Sequence, residues 1–200
     1  MPERARAVPK HRSREIDQER IRKAVAEIIV AIGEDPQREG LRETPRRMAA
    51  MYAELFAGLA LDPMELLSHG FLEDYGEVVI LRDIPFHSLC EHHFLPFLGL
   101  AHIGYIPNGR IIGISKLARL VDTLARRPQV QERLTGQIAD YIMAALEPDG
   151  EAVVLEAEHL CTSIRGVKKP GSRVVTSALR GDFGRGAMSG AELLTMVRGR

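Results

Sequence analysis

The chain has 200 residues, enough for one domain of ordinary size with its own core. Apolar residues make up 45% of it, and Lys plus Arg balance Asp plus Glu at 27 against 27, so the electrostatic signature of a dedicated nucleic-acid binder is absent. A local basic patch for a small polyanion is still allowed, and no apolar run approaches the roughly 20 residues that span a bilayer.

Residues 1–15, MPERARAVPKHRSRE, lack the apolar stretch of a secretory signal. They are Arg-rich like a transit peptide, but Glu3, two prolines and the lack of an amphipathic repeat lead us to expect a disordered tail. Residues 16–200 are expected to form one domain. From Ile16 a helical pattern places Ile21, Val25, Ile28, Ile29 and Ile32 on one face, and Gly33 ends it. A second helix is predicted with Thr44 as its cap, Pro45 in its first position, and Met48, Met51, Tyr52, Leu55 and Phe56 on its apolar side. After Gly70, residues 78–84 and 98–107 read as strands, and Pro107-Asn108-Gly109 as a turn into a short strand at 110–114, with these last two strands forming a hairpin. Ser115 is expected to cap a helix that Arg126-Arg127-Pro128 interrupts, and a further helix covers 130–146. Residues 152–161 and 172–179 read as strands, and 189–192 as a capping box for a short terminal helix. Helices, two strands, two helices, two strands and a helix make an α+β fold with an antiparallel sheet.

The chemistry concentrates in His87–His93, HSLCEHH, and in His159-Leu160-Cys161 far along the chain. The chain has only two cysteines, and with nothing pointing to an oxidising compartment, cysteines beside histidines indicate metal or catalysis and a cytoplasmic setting. Cys90 and His93 have a C-x-x-H spacing that lets two side chains grip one ion, and Cys161 supplies a third ligand. Thiolate and imidazole suit zinc, and three protein ligands with an open fourth position form the catalytic pattern rather than the closed structural one. His92 adjoins one ligand, and His159 alternates with Cys161, which on a strand would turn both to one face and leave His159 placed to move protons. The competing reading is a structural zinc with His92 or His159 as fourth ligand. A second constellation is Gly113 to Arg119: Ser115 at a helix start, with Lys116 and Arg119 on a shared face. With Arg165 it could hold phosphates, although each cation alone reads as solvated surface. Glu132, beside Gln131, could accept paired hydrogen bonds from a guanine edge, although by composition alone a Glu in a first helical turn reads as solvent-exposed surface.

These stretches resemble the type I GTP cyclohydrolase family: GEDPQREGLRETPRR, SLCEHHFLPF, GYIPNGRIIGISKLARLVDTLARRPQVQERLTGQI and EHLC…RGVKK…TSA. The resemblance implies one zinc per subunit on Cys90, His93 and Cys161, with His92 and His159 as acid/base groups. It implies Gln131 and Glu132 as the purine-recognition pair, and Ser115, Lys116, Arg119, Arg165 and Arg47 as triphosphate and ribose contacts, Ser115 also helping to move protons. It further implies GTP as substrate, opened at C8 with loss of formate to give 7,8-dihydroneopterin triphosphate, the first step toward pterins and folate. The expected fold is the tunnelling fold, an antiparallel ββααββ unit at residues 75–200 preceded by helices at 16–60. The expected assembly is a homodecamer of stacked pentamers with active sites between subunits. One departure is Ala50, where members of the family often carry a lysine. Three other readings compete with this one. A zinc deaminase would show H-x-E with P-C-x-x-C, which is absent, and a tunnelling-fold reductase finds no dinucleotide fingerprint to support it. A non-catalytic assembly around structural zinc would bind metal without turnover.

Overall fold

A computed structural model describes residues 15–68, 70–185 and 195; the expected tail up to residue 14 and the capping box at 189–192 lie outside them. Helix α1 (Gln18–Ala31) starts where the Asp17 carboxylate accepts the Arg20 N–H. Of its expected stripe only Val25 and Ile29 are buried, while Ile28 and Ile32 are exposed. Helix α2 (Thr44–Leu55) has Pro45 in its first turn as expected, but Thr44 is already helical; Glu43 precedes it and no side chain caps it. A 3₁₀ turn (Ala57–Leu59) and α3 (Pro63–Leu67) follow. Gly58 joins this region to the rest: a Cβ there would lie 2.0 Å from the Thr123 carbonyl oxygen. Arg127 donates to the carbonyls of Gly58 (2.9 Å) and Leu61 (3.0 Å).

In chain order come β1 (Phe71–Leu72), β2 (Val79–Cys90), β3 (Pro96–Ile106), β4 (Arg110–Ile111), α4 (Ile114–Ala125), β5 (Pro128–Gln129), α5 (Gln131–Leu146), β6 (Gly150–His159), α6 (Leu160–Ser163), β7 (Arg173–Gly181) and α7 (Asp182–Arg185). The sheet order is β5-β2-β3-β6-β7, antiparallel except for β5 beside β2. This is the ββααββ arrangement expected of the tunnelling fold. The expected hairpin of residues 98–107 with 110–114 does not form. Both edges of β3 are taken, by β2 and β6, so β4 pairs with β1 instead. Strand β2 runs on past residue 84 because Phe86, Ser88 and Cys90 keep alternating inward. Pro85 is tolerated because β5 pairs only with Leu89 and Cys90, leaving that edge of β2 open at Pro85.

Helix α4 repeats apolar residues at three- and four-residue steps, and its Leu117, Leu120, Val121 and Leu124 pack with Leu134, Ile138 and Ile142 of α5. Both helices cover the sheet face that carries Phe97, Ala101 and Ile103 of β3 and Val153 and Leu155 of β6. The opposite face leaves Leu98, Leu100 and Val175 partly exposed.

One core group breaks the apolar pattern. Glu151 is fully buried, and neither carboxylate oxygen has a hydrogen-bond partner among the described residues. Its cross-strand neighbour Arg180 bonds Asp140 instead, at 3.0 and 3.2 Å. Burial pushes the Glu151 carboxyl well above its ordinary value; Arg180 pulls it down and Asp140 adds to the rise. The native state therefore keeps a proton that the unfolded chain releases near 4.5, so stability falls as pH rises from there through the folded value. Glu151→Gln is expected to raise the thermal midpoint, with a gain that grows from acidic to alkaline buffer. A gain that did not change with pH would show that this carboxyl is not the titrating group.

Candidate metal centre and active site

The two chemical clusters meet because of strand direction. Strands β2 and β6 both pair antiparallel with β3, so they run the same way and end at the same edge of the sheet. Leu89 faces Pro96 on one side of β3, and His159 faces Phe97 on the other. Strand β5 lies against the end of β2, with Gln129 opposite Cys90, and so brings the start of α5 to the same edge.

There the ligand atoms of Cys90, His93 and Cys161 lie within 4.8 Å of one another. Donors around a tetrahedral zinc sit roughly 3.5–3.8 Å apart given the usual zinc–sulfur and zinc–nitrogen lengths, so a small closure of the three would seat the ion. Cys90 is buried, Cys161 half-buried and His93 exposed. Both cysteines are free thiols. Burial, and then the nearby Cys90, push the Cys161 thiol up, and a cation would reverse that by stabilising the thiolates. Arg165 Nη1 lies 2.9 Å from His93 Nε2. Arginine can only donate, so this nitrogen presents its lone pair. Cys161 is not on the strand as expected. Pairing stops at the end of β6, and Cys161 sits on the helical turn α6, so simple alternation with His159 does not apply.

The CEHH turn is held from two sides that sequence reasoning did not find. Glu91 pairs with Arg133 of α5 through both carboxylate oxygens, at 2.5 and 3.0 Å, which lowers the Glu91 carboxyl below its ordinary value. Phe94 adopts a left-handed backbone, φ +52°, a conformation that costs a non-glycine residue roughly 1–2 kcal/mol. Its ring is packed by Phe56 and Tyr52 at centroid distances of 5.4 and 6.3 Å. The only sequence signal for this was the apolar side predicted for α2.

His159 is half-buried, and burial lowers its pKa, opposed by Glu132. Its ring stacks on Phe97 at 4.6 Å and 3°. Its Nε2 lies 2.8 Å from Gln131 Oε1. Gln131 itself is buried, and its amide nitrogen is committed to protein acceptors. His92 is exposed, with Nδ1 3.7 Å from Cys90 Sγ. Glu132 is exposed in the first turn of α5. Gly113 rather than Ser115 precedes α4, which leaves Ser115 exposed inside the first turn and Lys116 half-buried. Arg119, Arg165 and Arg47 are exposed, Arg47 on α2.

Cys90→Ala and Cys161→Ala are expected to reduce bound metal from about one ion per chain to near zero, by elemental analysis, while His92→Ala and His159→Ala retain it. Loss of metal in either histidine variant would make that histidine a ligand.

The GTP cyclohydrolase I family profile matches residues 21–198. The GTP cyclohydrolase 1 of Dehalococcoides mccartyi is 59% identical over 184 residues, covering 91% of this chain and 97% of that protein. The GTP cyclohydrolase 1 of Thermoanaerobacter pseudethanolicus is 55% identical, over 92% of this chain and 99% of its own. That of Halalkalibacterium halodurans is 55% identical, over 92% and 98%. With the profile covering most of the chain and relatives this close along their whole length, the chain belongs to the GTP cyclohydrolase I family.

Proposed function

We propose that this protein hydrolyses GTP at C8, releases that carbon as formate and rearranges the remainder to 7,8-dihydroneopterin triphosphate, the first step of pterin and folate biosynthesis. The observation that carries this reading is the convergence of Cys90, His93 and Cys161 at the sheet edge where His159 and the start of α5 also lie. Two thiols and an imidazole suit zinc better than a hard cation. Zinc held there supplies Lewis-acid activation of water at neutral pH.

The chain's own residues do the rest. Glu132, exposed at the first turn of α5, accepts the guanine N–H edge, while Gln131, expected to pair with it there, is buried and spends its amide on His159 and on protein acceptors. Lys116, Arg119, Arg165 and Arg47 hold the triphosphate, helped by the N–H groups that open α4. His159 exchanges protons at the imidazole ring of the base, and His92 and Ser115 move protons as the ribose opens. Ring opening and deformylation each consume a water, and the final cyclisation returns one. Fixing both ends of the nucleotide supplies part of the rate by orientation.

Assembly belongs to the same proposal. Exposed Leu98, Leu100 and Val175 on the uncovered sheet face, with Ile28 on α1 and Ile32 at its end, give apolar surface for contact between copies. A homodecamer of two pentamers, with sites completed between subunits, uses both surfaces. It also explains why cations on α2, α4 and the turn after α6 are spread across separate elements. We place the enzyme in the cytoplasm, where its two cysteines stay reduced as ligands. No helix among the described residues is long and apolar enough to cross a membrane.

Purified, zinc-loaded protein is expected to release formate from GTP and none from ATP. Glu132→Gln is expected to raise KM for GTP by about tenfold or more, because a carboxylate that accepts two N–H bonds is replaced by an amide that must offer a donor to one of them. No formate from a metallated, assembled sample would sink the assignment.

A further inference from the structure

Three polar side chains behind His159 have hydrogen bonds whose direction is fixed by acceptor-only groups. Gln131 Nε2 lies 3.1 Å from the Leu155 carbonyl oxygen, 2.9 Å from the Val174 carbonyl oxygen and 3.1 Å from Thr176 Oγ1. Carbonyl oxygens cannot donate, so the amide nitrogen must face them, and the opposite orientation of the amide is excluded chemically. Thr135 Oγ1 donates to the Gln131 carbonyl oxygen at 2.8 Å and so accepts from Thr176 Oγ1, 2.6 Å away. Thr176 has then used its proton and offers Gln131 only a lone pair. With Nε2 held in this way, Gln131 Oε1 is the atom that meets His159 Nε2, at 2.8 Å. An amide oxygen only accepts. His159 Nε2 therefore carries a proton in either charge state; a ring turned over would set the carbon Cε1, not the other nitrogen, against Gln131 Oε1, and Phe97 stacks on the ring face at 4.6 Å.

We propose that Gln131 is a positioning residue for His159, holding the proton on Nε2 so that Nδ1 is the one nitrogen that exchanges protons with substrate. Nδ1 makes no hydrogen bond among the described residues. This rests on the proposed function for what the proton transfer serves, but the tautomer is a property of the resting protein. It divides the two residues that open α5: Glu132 faces solvent to meet the base, while Gln131 faces inward and acts through the histidine.

The test is solid-state ¹⁵N NMR of the zinc-loaded protein labelled at histidine, with the His159 signals identified by their loss in His159→Asn. The expected result is a protonated Nε2 and a bare Nδ1 in the resting wild type. Gln131→Met, which removes the acceptor, is expected to give a mixture of tautomers, and Gln131→Glu, whose buried carboxyl must keep a proton to donate to the Leu155 or Val174 carbonyl while its other oxygen accepts, to retain the Nε2–H form. In Gln131→Met, kcat is expected to fall roughly 10–100-fold with KM for GTP within about threefold, since a pure base contact would move KM instead. A proton on Nδ1 in the wild type overturns the proposal, and does so even if Gln131→Met fails to assemble. An unchanged tautomer and turnover in Gln131→Met overturns it as well. If the wild type releases no formate, the functional reading fails while the NMR signal still decides the tautomer.

Discussion

Antiparallel pairing of β3 with both of its neighbours forces β2 and β6 to finish at one edge of the sheet, and every part of the site hangs on that geometry. Adjacent strands are about 4.8 Å apart, so the ends of β2 and β6 are separated by roughly twice that across β3. The CEHH turn and α6 each reach over the end of β3 to close this gap, which lets residues remote in sequence present three ligand atoms to one point. Strand β5 contributes only two residues, yet its parallel contact with Leu89 and Cys90 delivers the start of α5 to the same edge.

Around that point the side chains fall into two sets with different physics. Cys90, Gln131 and His159 are wholly or partly buried, and each is fixed by packing or by hydrogen bonds to groups that cannot move. Polar groups in such a setting are costly unless satisfied, and Gln131 is satisfied at both ends of its amide. Glu132, His92, Arg119, Arg165 and Arg47 are exposed. The guanidinium charges of the three arginines are well solvated, so a polyanion can recruit them without a large desolvation penalty. On the proposed reading, the proton-transfer groups are pre-arranged by the chain and the anion contacts are left to the ligand.

The order of elements could be read from the sequence because hydrophobic period and turn residues are local signals. The stripe of α4, the alternation in residues 98–107 and the turn at Gly109, φ +70°, each declare themselves within a few residues. Pairing is not local. The hairpin expected from Pro107-Asn108-Gly109 failed because β3 had no free edge, a fact set by β6, which lies beyond two helices. Helix caps shifted by one residue at Thr44 and by two at Ser115, since a hydroxyl marks the neighbourhood of a cap without choosing the residue. The candidate metal ligands were legible because zinc chemistry restricts such groups to few residue types. The supports were not, since Phe97 meets His159 and Glu91 meets Arg133 only through tertiary structure. Gln131 was legible as a site residue by resemblance, but the direction in which its amide points was not.

Gly99 lies two residues from Phe97, and a Cβ on it would come within 2.0 Å of the Glu156 carbonyl oxygen on β6. The contact works as a notch: the two backbones can lie this close only where the residue without a side chain sits opposite that stretch of β6. Slipping β6 by one residue would turn His159 to the other face of the sheet and carry Cys161 away with it. For a lineage carrying this enzyme, the turns around Gly109 and Gly171 are therefore places where length can drift. The span from Phe97 to Ile106 and the span from Gly150 to His159 form a reading frame of their own, in which a single added codon is worse than many substitutions.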